Sequence, residues 1–201
     1  KIINDIIYFR PRLAKYISSL VGTPDGQVTL ILTILFTIPL CFINFFIKGK
    51  TQRLLFSLIT GVILQYSIYG TGMIHNIFST TTTYLFVKFL GRKVSALTLM
   101  IATMAHLSYL NLRSMIDNYG GWSIDEVCTL YMMTLTKYTS FAFSYEDGAK
   151  DDKDFKSQHH KQYKIKNLPS ILEFTSYIFF YPTCILGPFI EYKDFIDYIE
   201  E

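Results

Sequence analysis

The chain has 201 residues, of which 50% are apolar and only 17% are charged, with a formal net charge of +3. A soluble domain normally carries about 25% charged residues, so this composition argues against an ordinary water-soluble domain. The small net charge, without a basic stripe interleaved with aromatic residues, gives no support to nucleic-acid binding. Cys41, Cys128 and Cys184 all lie in apolar runs, which favours reduced, buried thiols over a disulfide framework.

The first 21 residues mix apolar clusters with Arg10, Arg12 and Lys15, a pattern that predicts a helix lying in a membrane interface. Five apolar stretches follow, and a helix of about 20 such residues crosses the hydrocarbon core of a bilayer. The predicted spans are 28–47, 54–69, 77–90, 94–112 and 127–145. The third is short and rich in threonine, and the sequence leaves open whether it crosses fully.

A polar, lysine-rich stretch at 146–167 separates these spans from a last apolar stretch at 168–190. We predict a further membrane helix there, broken by Pro182 and by Gly187-Pro188, with a short segment following to residue 201. The fold class expected is all-α, a polytopic membrane bundle of about five to six membrane helices plus the interfacial helix. Basic connections alternate with neutral or acidic ones, which places KGKTQR, KFLGRK and the 146–167 loop in the cytosol.

Lys137 lies near the middle of the predicted span 127–145. A charge at that depth is costly, so we expect it to face the bundle interior or a water-filled cavity. Ser140 and Ser144 lie on the same helical face and extend a polar stripe from it. Glu173 is an acid within the last apolar run, so we hypothesise that it pairs with Lys137. A packing role for such a pair is favoured over direct catalysis.

Histidine residues are the other candidates for chemistry. His106 lies within a span, where a hydrogen-bonded structural role is favoured over a catalytic one, and His75 lies in a predicted connection. His159 and His160 are adjacent and point to different helical faces, and no cysteine or carboxylate completes a zinc spacing. We therefore expect no metal and no cofactor. The lysines of the 146–167 loop are either simply solvated or contact the phosphates of an anionic ligand or lipid headgroup.

Two blocks of sequence resemble a known enzyme family. TKYTSFAFSYEDG at 136–148 and LPSILEFTSYIFFYPTCILGPFIEYKDF at 168–195 are similar to consecutive blocks of the membrane-bound O-acyltransferases, in their lysophospholipid branch. The resemblance covers nearly all of the chain as the N-terminal part of a single transmembrane domain. It implies a multi-pass protein of the endoplasmic reticulum membrane that transfers a fatty acyl group from acyl-CoA, as co-substrate, to a lysophospholipid hydroxyl.

The resemblance also implies where chemistry lies. In the family the general-base histidine and its asparagine follow the Gly-Pro block. They would lie beyond residue 201, so neither His106 nor His75 is assigned as catalytic and this chain alone is expected to be inactive. The residues expected to line the substrate chamber all have polar side chains and lie within the two blocks. They are Lys137, Ser140, Ser144, Asp147 and Glu173.

Two alternatives stay open from the sequence. One is an enzyme of the same family with another acceptor: a sterol, a diacylglycerol or a protein. The other is a channel or transporter, in which Lys137 and His106 would lie on the pathway, although no inverted repeat is visible. Headgroup preference, acyl-chain preference and oligomeric state are not determined by the sequence.

Overall fold

The computed structural model is all-α, with no strand in the residues that it describes. These are residues 13, 15–20, 22, 25–93, 96–117, 126–151, 153, 155, 157–185 and 188–201. The helices are α1 (Asp25–Phe46), α2 (Lys50–Tyr69), α3 (Met73–Leu90), α4 (Ala96–Asp117), α5 (Glu126–Asp147), α6 (Gln158–Tyr163), α7 (Ile171–Ile178) and α8 (Tyr192–Glu200). Residues 15–20 are helical, but most of the predicted interfacial helix lies outside the described residues.

The five predicted spans correspond to α1 to α5, with corrections at their ends. Helix α2 begins at Lys50, so most of KGKTQR belongs to its first turn and the connection shrinks to three residues, 47–49. Helix α3 begins at Met73 after a 3₁₀ turn at Gly70–Gly72, so His75 lies on a helix and not in a connection. Val94 and the YGGW corner at 119–122 lie outside the described residues.

Within the part of the chain that the structure describes, no helix is both long enough and apolar enough to span a membrane. The crossing of the membrane by α1 to α5 therefore stays a prediction.

The predicted single helix at 168–190 is wrong. Helix α7 has only eight residues, starts with a capping box between Ser170 and Glu173, and ends at Ile178. Turns occupy 179–185, where Pro182 lacks the backbone N–H that a continuing helix would use. A second helix, α8, follows, while Gly187 lies outside the described residues.

Helix α5 lies at the centre of the bundle and packs on α2, α3, α4, α6 and α7. Its Phe141 ring lies 4.8 Å from the ring of Phe174 on α7 and 5.5 Å from that of Tyr192 on α8. Tyr177 on α7 packs in turn against Phe195 on α8. Aromatic side chains contribute large buried areas, so this cluster is the main apolar core between α5 and the C-terminal segment.

Helix α2 approaches the end of α7 through small residues. Ser57 and Gly61 lie one turn apart on the buried face of α2. A Cβ atom at Gly61 would lie 1.6 Å from the backbone oxygen of Phe179, so only glycine permits this approach. The Ser176 hydroxyl donates to the Leu54 carbonyl at 2.9 Å across the same interface. Small residues spaced four apart commonly allow such close helix contacts in membrane proteins.

Candidate functional site

Lys137 is turned into the protein, as its sequence position predicted, with 2% of its surface exposed. Its ammonium donates to the carbonyls of Tyr177 at 3.0 Å and Ile178 at 3.1 Å, and to the Thr183 hydroxyl at 2.8 Å. An ammonium group has three donors, so these acceptors use all of them. Because the carbonyls lie at the C-terminal end of α7, Lys137 caps that helix with a favourable positive charge.

The hypothesised pair between Lys137 and Glu173 is wrong. Glu173 lies in the first turn of α7, whereas Lys137 binds at the last turn. Glu173 instead accepts from Lys50 at 2.7 Å, and Lys50 also binds Glu200 at 2.9 Å. The hydrogen bonds that Lys50 donates to Glu173 and then to Glu200 raise the pKa of Lys50. Glu173 therefore ties the start of α2 to α7 and lies apart from the other predicted site residues.

A second buried polar chain was not predicted from the sequence. Gln65 donates to the Cys184 carbonyl at 3.2 Å and accepts from Asn76 at 3.0 Å. Tyr138 donates to the Asn76 side chain at 2.8 Å, and its hydroxyl also lies 2.7 Å from that of Thr80. These bonds connect α2, α3, α5 and the turns after α7. The sequence does contain a signal for this chain of bonds. Gln65 and Asn76 have amide side chains inside otherwise apolar stretches, where an unpaired polar group is costly.

Lys137, Ser140 and Ser144 form one polar stripe along α5, as predicted, and Asp147 extends it to the end of the helix. All four contact residues that follow α5 in the chain. The Ser140 hydroxyl lies 2.5 Å from a carboxylate oxygen of Glu191, and the Ser144 carbonyl accepts from the backbone N–H of Ile165 at 2.8 Å. Glu191 was not predicted as a site residue, although it lies in the second sequence block, three residues after Pro188.

Asp147 ends helix α5, where the sequence predicted a turn. Its carboxylate binds Lys150 at 2.6 Å and His160 at 2.6 Å. Burial raises the pKa of Asp147, but the hydrogen bonds from Lys150 and His160 outweigh burial and leave the pKa below its ordinary value. The contact fastens α6 to the end of α5.

The next residue, Gly148, meets the loop that follows α6 at very close range. A Cβ atom at Gly148 would lie 1.8 Å from the Ile165 carbonyl oxygen. Arg92 donates to the carbonyls of Ile165 and Lys166 beside it. These contacts hold the segment 164–166 against the turn at 148–151.

Between these two segments lies a cavity of about 550 Å³. Four lysines and one acid line it, together with Gly148 and Ala149. They are Lys150, Asp151, Lys153, Lys164 and Lys166. A lining with four lysines and one acid carries a net positive charge, so it suits a phosphate-bearing ligand.

His106 is hydrogen-bonded within the bundle, as the sequence analysis favoured. Its Nδ1 lies 3.1 Å from the Tyr131 hydroxyl and 3.5 Å from that of Ser79. Within the residues that the structure describes, no three metal-ligating side chains converge. The described site therefore offers fixed hydrogen-bond donors and a cationic cavity, which are suited to binding and positioning a substrate.

Comparison with known proteins gives a consistent assignment. Residues 29–201 match the model of the membrane-bound O-acyltransferase family. The chain is 30% identical to "Lysophospholipid acyltransferase 5" of Drosophila melanogaster over 190 residues, which cover 90% of this chain and 37% of the relative. It is 28% identical to the Homo sapiens protein of the same name, over 83% of this chain and 34% of that relative.

A yeast relative extends the comparison. The "Lysophospholipid acyltransferase" of Saccharomyces cerevisiae is 32% identical over 120 residues, covering 58% of this chain and 19% of the relative. The chain thus spans between a fifth and two fifths of the length of these relatives. Since the family match extends across both sequence blocks and the polar stripe between α5 and the C-terminal segment, the chain belongs to the membrane-bound O-acyltransferase family.

Proposed function

We propose that this chain is the N-terminal part of an acyl-CoA-dependent lysophospholipid O-acyltransferase. The observation that carries the proposal is the family match over residues 29–201, together with relatives named lysophospholipid acyltransferases that align with most of the chain. An enzyme of this kind joins the fatty acyl group of the donor to the free hydroxyl of the acceptor and releases the CoA thiol. The described residues would bind and position these substrates.

The protein is proposed to be a multi-pass protein of the endoplasmic reticulum membrane, with residues 1–201 in a single transmembrane domain. Large apolar side chains exposed along α1 to α4 support a lipid environment. Phe45 is 79% exposed, Phe46 77% and Phe89 77%. Apolar surface of this extent is uncommon on a soluble monomer, and it costs nothing against hydrocarbon.

The polar stripe of α5 is proposed as one wall of the substrate chamber. Ser140, Ser144 and Asp147 support this, because they lie on one helical face together with Lys137. Lys137 has its three donors satisfied, so its part is to hold the end of α7 against that wall. The irregular chain after α7 suits a position beside the chamber, since non-helical backbone at membrane depth is tolerated where protein shields it from lipid.

The lysine-lined cavity is proposed to receive the phosphates of acyl-CoA at the cytosolic face. It is formed by the loop that the charge alternation assigns to the cytosol. The Gly148 and Arg92 contacts fix the backbone of its walls, which limits the rearrangement of the chain on binding.

The decisive experiment uses the complete protein in membranes with radiolabelled acyl-CoA and a panel of lysophospholipids. We expect label in a diacyl phospholipid for at least one acceptor. Sterols, diacylglycerol and a protein acceptor are run in parallel. Transfer to one of these acceptors alone would overturn the lysophospholipid assignment, and absence of transfer to every acceptor would overturn the enzyme assignment.

A second experiment tests the donor cavity. In Lys153→Glu with Lys166→Glu, we expect the KM for acyl-CoA to rise by about tenfold or more, because two attractive charges become repulsive. The KM for the lysophospholipid should change little. Lys88→Glu, an exposed charge reversal at the end of α3, is the matched control. Equal effects of the two variants on the donor KM would contradict this site.

A further inference from the structure

The lysine-lined cavity shares one of its lysines with a cluster that contains a histidine. Lys150, which lines the cavity, donates to one carboxylate oxygen of Asp147 at 2.6 Å. His160, on α6, places its Nδ1 2.6 Å from the other oxygen of the same carboxylate. A single carboxylate at the end of α5 therefore holds both a cation of the cavity and an imidazole ring.

The geometry fixes where His160 gains a proton. The side chain of Asp147 is 9% exposed and its pKa lies below its ordinary value, so at neutral pH it is ionised and only accepts hydrogen bonds. Nδ1 of His160 therefore carries a hydrogen and donates, in the neutral ring as well as in the charged one. The second proton adds at Nε2. Because the His160 side chain is 55% exposed, the ring can exchange this proton with water.

The charge on His160 changes how firmly Asp147 holds Lys150. When the ring is neutral, the charge of the carboxylate is balanced within the cluster by Lys150 alone, and the cluster has no net charge. When the ring is protonated, the carboxylate is shared between two cations and the cluster has a net positive charge. The hold on Lys150 is then weaker, and the potential of the adjoining cavity is more positive. Both changes favour contact between Lys150 and a phosphate oxygen.

The other charged groups that contact α6 lie on its side towards α8. Nε2 of His159 lies 3.9 Å from a carboxylate oxygen of Glu191. Glu146, beside Asp147 in the chain, is directed to the start of α4, where it accepts a backbone N–H. His159 therefore titrates next to a different carboxylate from His160. Two further charged residues of α8 contact α6, through the Gln162 carbonyl and through Tyr163. They are Lys193 and Asp194.

We propose that Asp147 and His160 are positioning residues of the lysine-lined cavity, and that protonation of His160 strengthens the binding of the acyl-CoA phosphates by Lys150. The proposal rests on the donor site in the proposed function and adds a dependence on pH to it. Histidine changes its charge between about pH 5 and about pH 8. The contribution of His160 to donor binding is therefore lost as the pH rises through this range and gained as the pH falls.

The test measures the binding of CoA to the complete protein in detergent micelles at about pH 8 and about pH 6. His160→Asn keeps an N–H that can donate to Asp147 and removes the titration. We expect the Kd of the variant to match that of the unmodified protein at the higher pH and to exceed it by about two- to threefold at the lower pH. The CoA phosphates also titrate, so the ratio of the two Kd values is compared. An equal ratio at both pH values would overturn the proposal.

His159→Asn is the matched control on the same helix. It removes a histidine that faces Glu191, so its Kd ratio to the unmodified protein should be the same at both pH values. A pH-dependent ratio as large as that of His160→Asn would overturn the assignment to His160.

Lys150→Gln decides whether His160 acts through Lys150. In the Lys150→Gln background, His160→Asn should change the Kd at the lower pH by less than about 1.5-fold, because the two residues share one carboxylate. An undiminished effect would overturn the positioning role. Helix content and elution volume are measured for every variant. If His160→Asn does not fold, Lys150→Gln alone supplies the answer: it should weaken CoA binding more at the lower pH than at the higher one, and equal or reversed losses would overturn the proposal.

Inorganic pyrophosphate is tested beside CoA, because it provides phosphates without the rest of the donor. Binding of pyrophosphate with the expected pH-dependent ratio, without binding of CoA, would contradict the donor site and support the role of His160. Binding of CoA with a ratio independent of pH would support the donor site and overturn the role of His160. Binding of neither anion would overturn both, so the two proposals can be told apart.

Discussion

The N-terminal helices and the C-terminal segment of this chain treat apolar residues in opposite ways. Most of the exposed large apolar side chains in the described structure lie on α1 to α4, before residue 117. After residue 131 the exposed ones are Met132, Phe143, Ile171 and Phe189. The largest fully buried side chains, by contrast, are mainly at 137–199, including Tyr138, Phe141, Tyr177, Phe195 and Lys137.

This difference separates two kinds of stabilisation. The segment from α5 to α8 has a conventional interior in which aromatic rings pack together and buried polar groups such as Lys137 and Tyr138 are hydrogen-bonded. Helices α1 to α4 also pack on this segment, most extensively through α4 against α5, but they direct many apolar side chains outward. Outward apolar residues suit lipid contact, where burial within protein gives little further gain.

The strongest test of this comparison substitutes one phenylalanine in each region. Phe141→Ala should lower the free energy of unfolding by about 3–5 kcal/mol, because it empties a buried site between α5, α7 and α8. Phe45→Ala, at 79% exposure, should change it by less than about 0.5 kcal/mol. Thermal and denaturant unfolding in detergent measures both. Equal losses would mean that α1 is packed as tightly as the core.

Lys137 provides the next largest effect. Lys137→Met should cost about 2–4 kcal/mol, since it leaves the carbonyls of Tyr177 and Ile178 buried without a donor. Lys88→Met, on an exposed turn of α3, is the control and should be close to neutral. If Lys137→Met reduced acyl transfer while leaving stability unchanged, Lys137 would act on substrate and not as a helix cap.

How far the sequence predicted these features depends on the range of the contacts involved. The inward direction of Lys137 followed from its cost in an apolar span, and the end of α5 at Asp147 followed from the local Asp-Gly pair. The partner of Lys137 did not follow, because it depends on where α7 ends. That end was hidden by the continuous apolar run after Leu168.

The buried chain from Gln65 through Asn76 to Tyr138 was also beyond sequence reasoning. Each of its bonds joins residues on different helices, and periodicity within one helix carries no information about which neighbour it meets. The close approach of α2 to α7 was missed for the same reason. Gly61 reads as an ordinary glycine within an apolar span until the Phe179 carbonyl is placed against it.

Gly61 and Ile59 allow a buried and an exposed position to be compared within a single helix, α2. Gly61→Ala should cost about 1–3 kcal/mol, because its methyl group must displace the backbone of Phe179. Ile59→Ala lies on the same helix with 55% of its surface exposed and is the control. We expect the smaller effect from Ile59→Ala in detergent unfolding, although it removes three side-chain carbons whereas Gly61→Ala adds one. The reverse order would indicate that α2 and α7 separate without loss of stability.

The smallest effect concerns the contacts of Asp147 with Lys150 and His160 at the end of α5. The pKa of Asp147 is lower in the folded protein than in the unfolded chain. Its contribution to stability is therefore complete above its ordinary value of 3.8 and is lost as the pH falls through the lower, folded value. Asp147→Asn should cost less than about 1 kcal/mol near neutral pH, because its partners are largely exposed.

The same variant should flatten the fall in unfolding temperature between about pH 5 and about pH 2, because it removes one carboxylate that favours the folded state by staying ionised. Asp151→Asn, an exposed carboxylate in the same loop, is the control. If the unfolding temperature of Asp147→Asn followed pH in the same way as that of the unmodified protein, the contacts of Asp147 with Lys150 and His160 would add no acid-sensitive stability. The difference between the two regions would then rest on the buried aromatic and polar core alone, since that core has no carboxylate among its largest buried side chains.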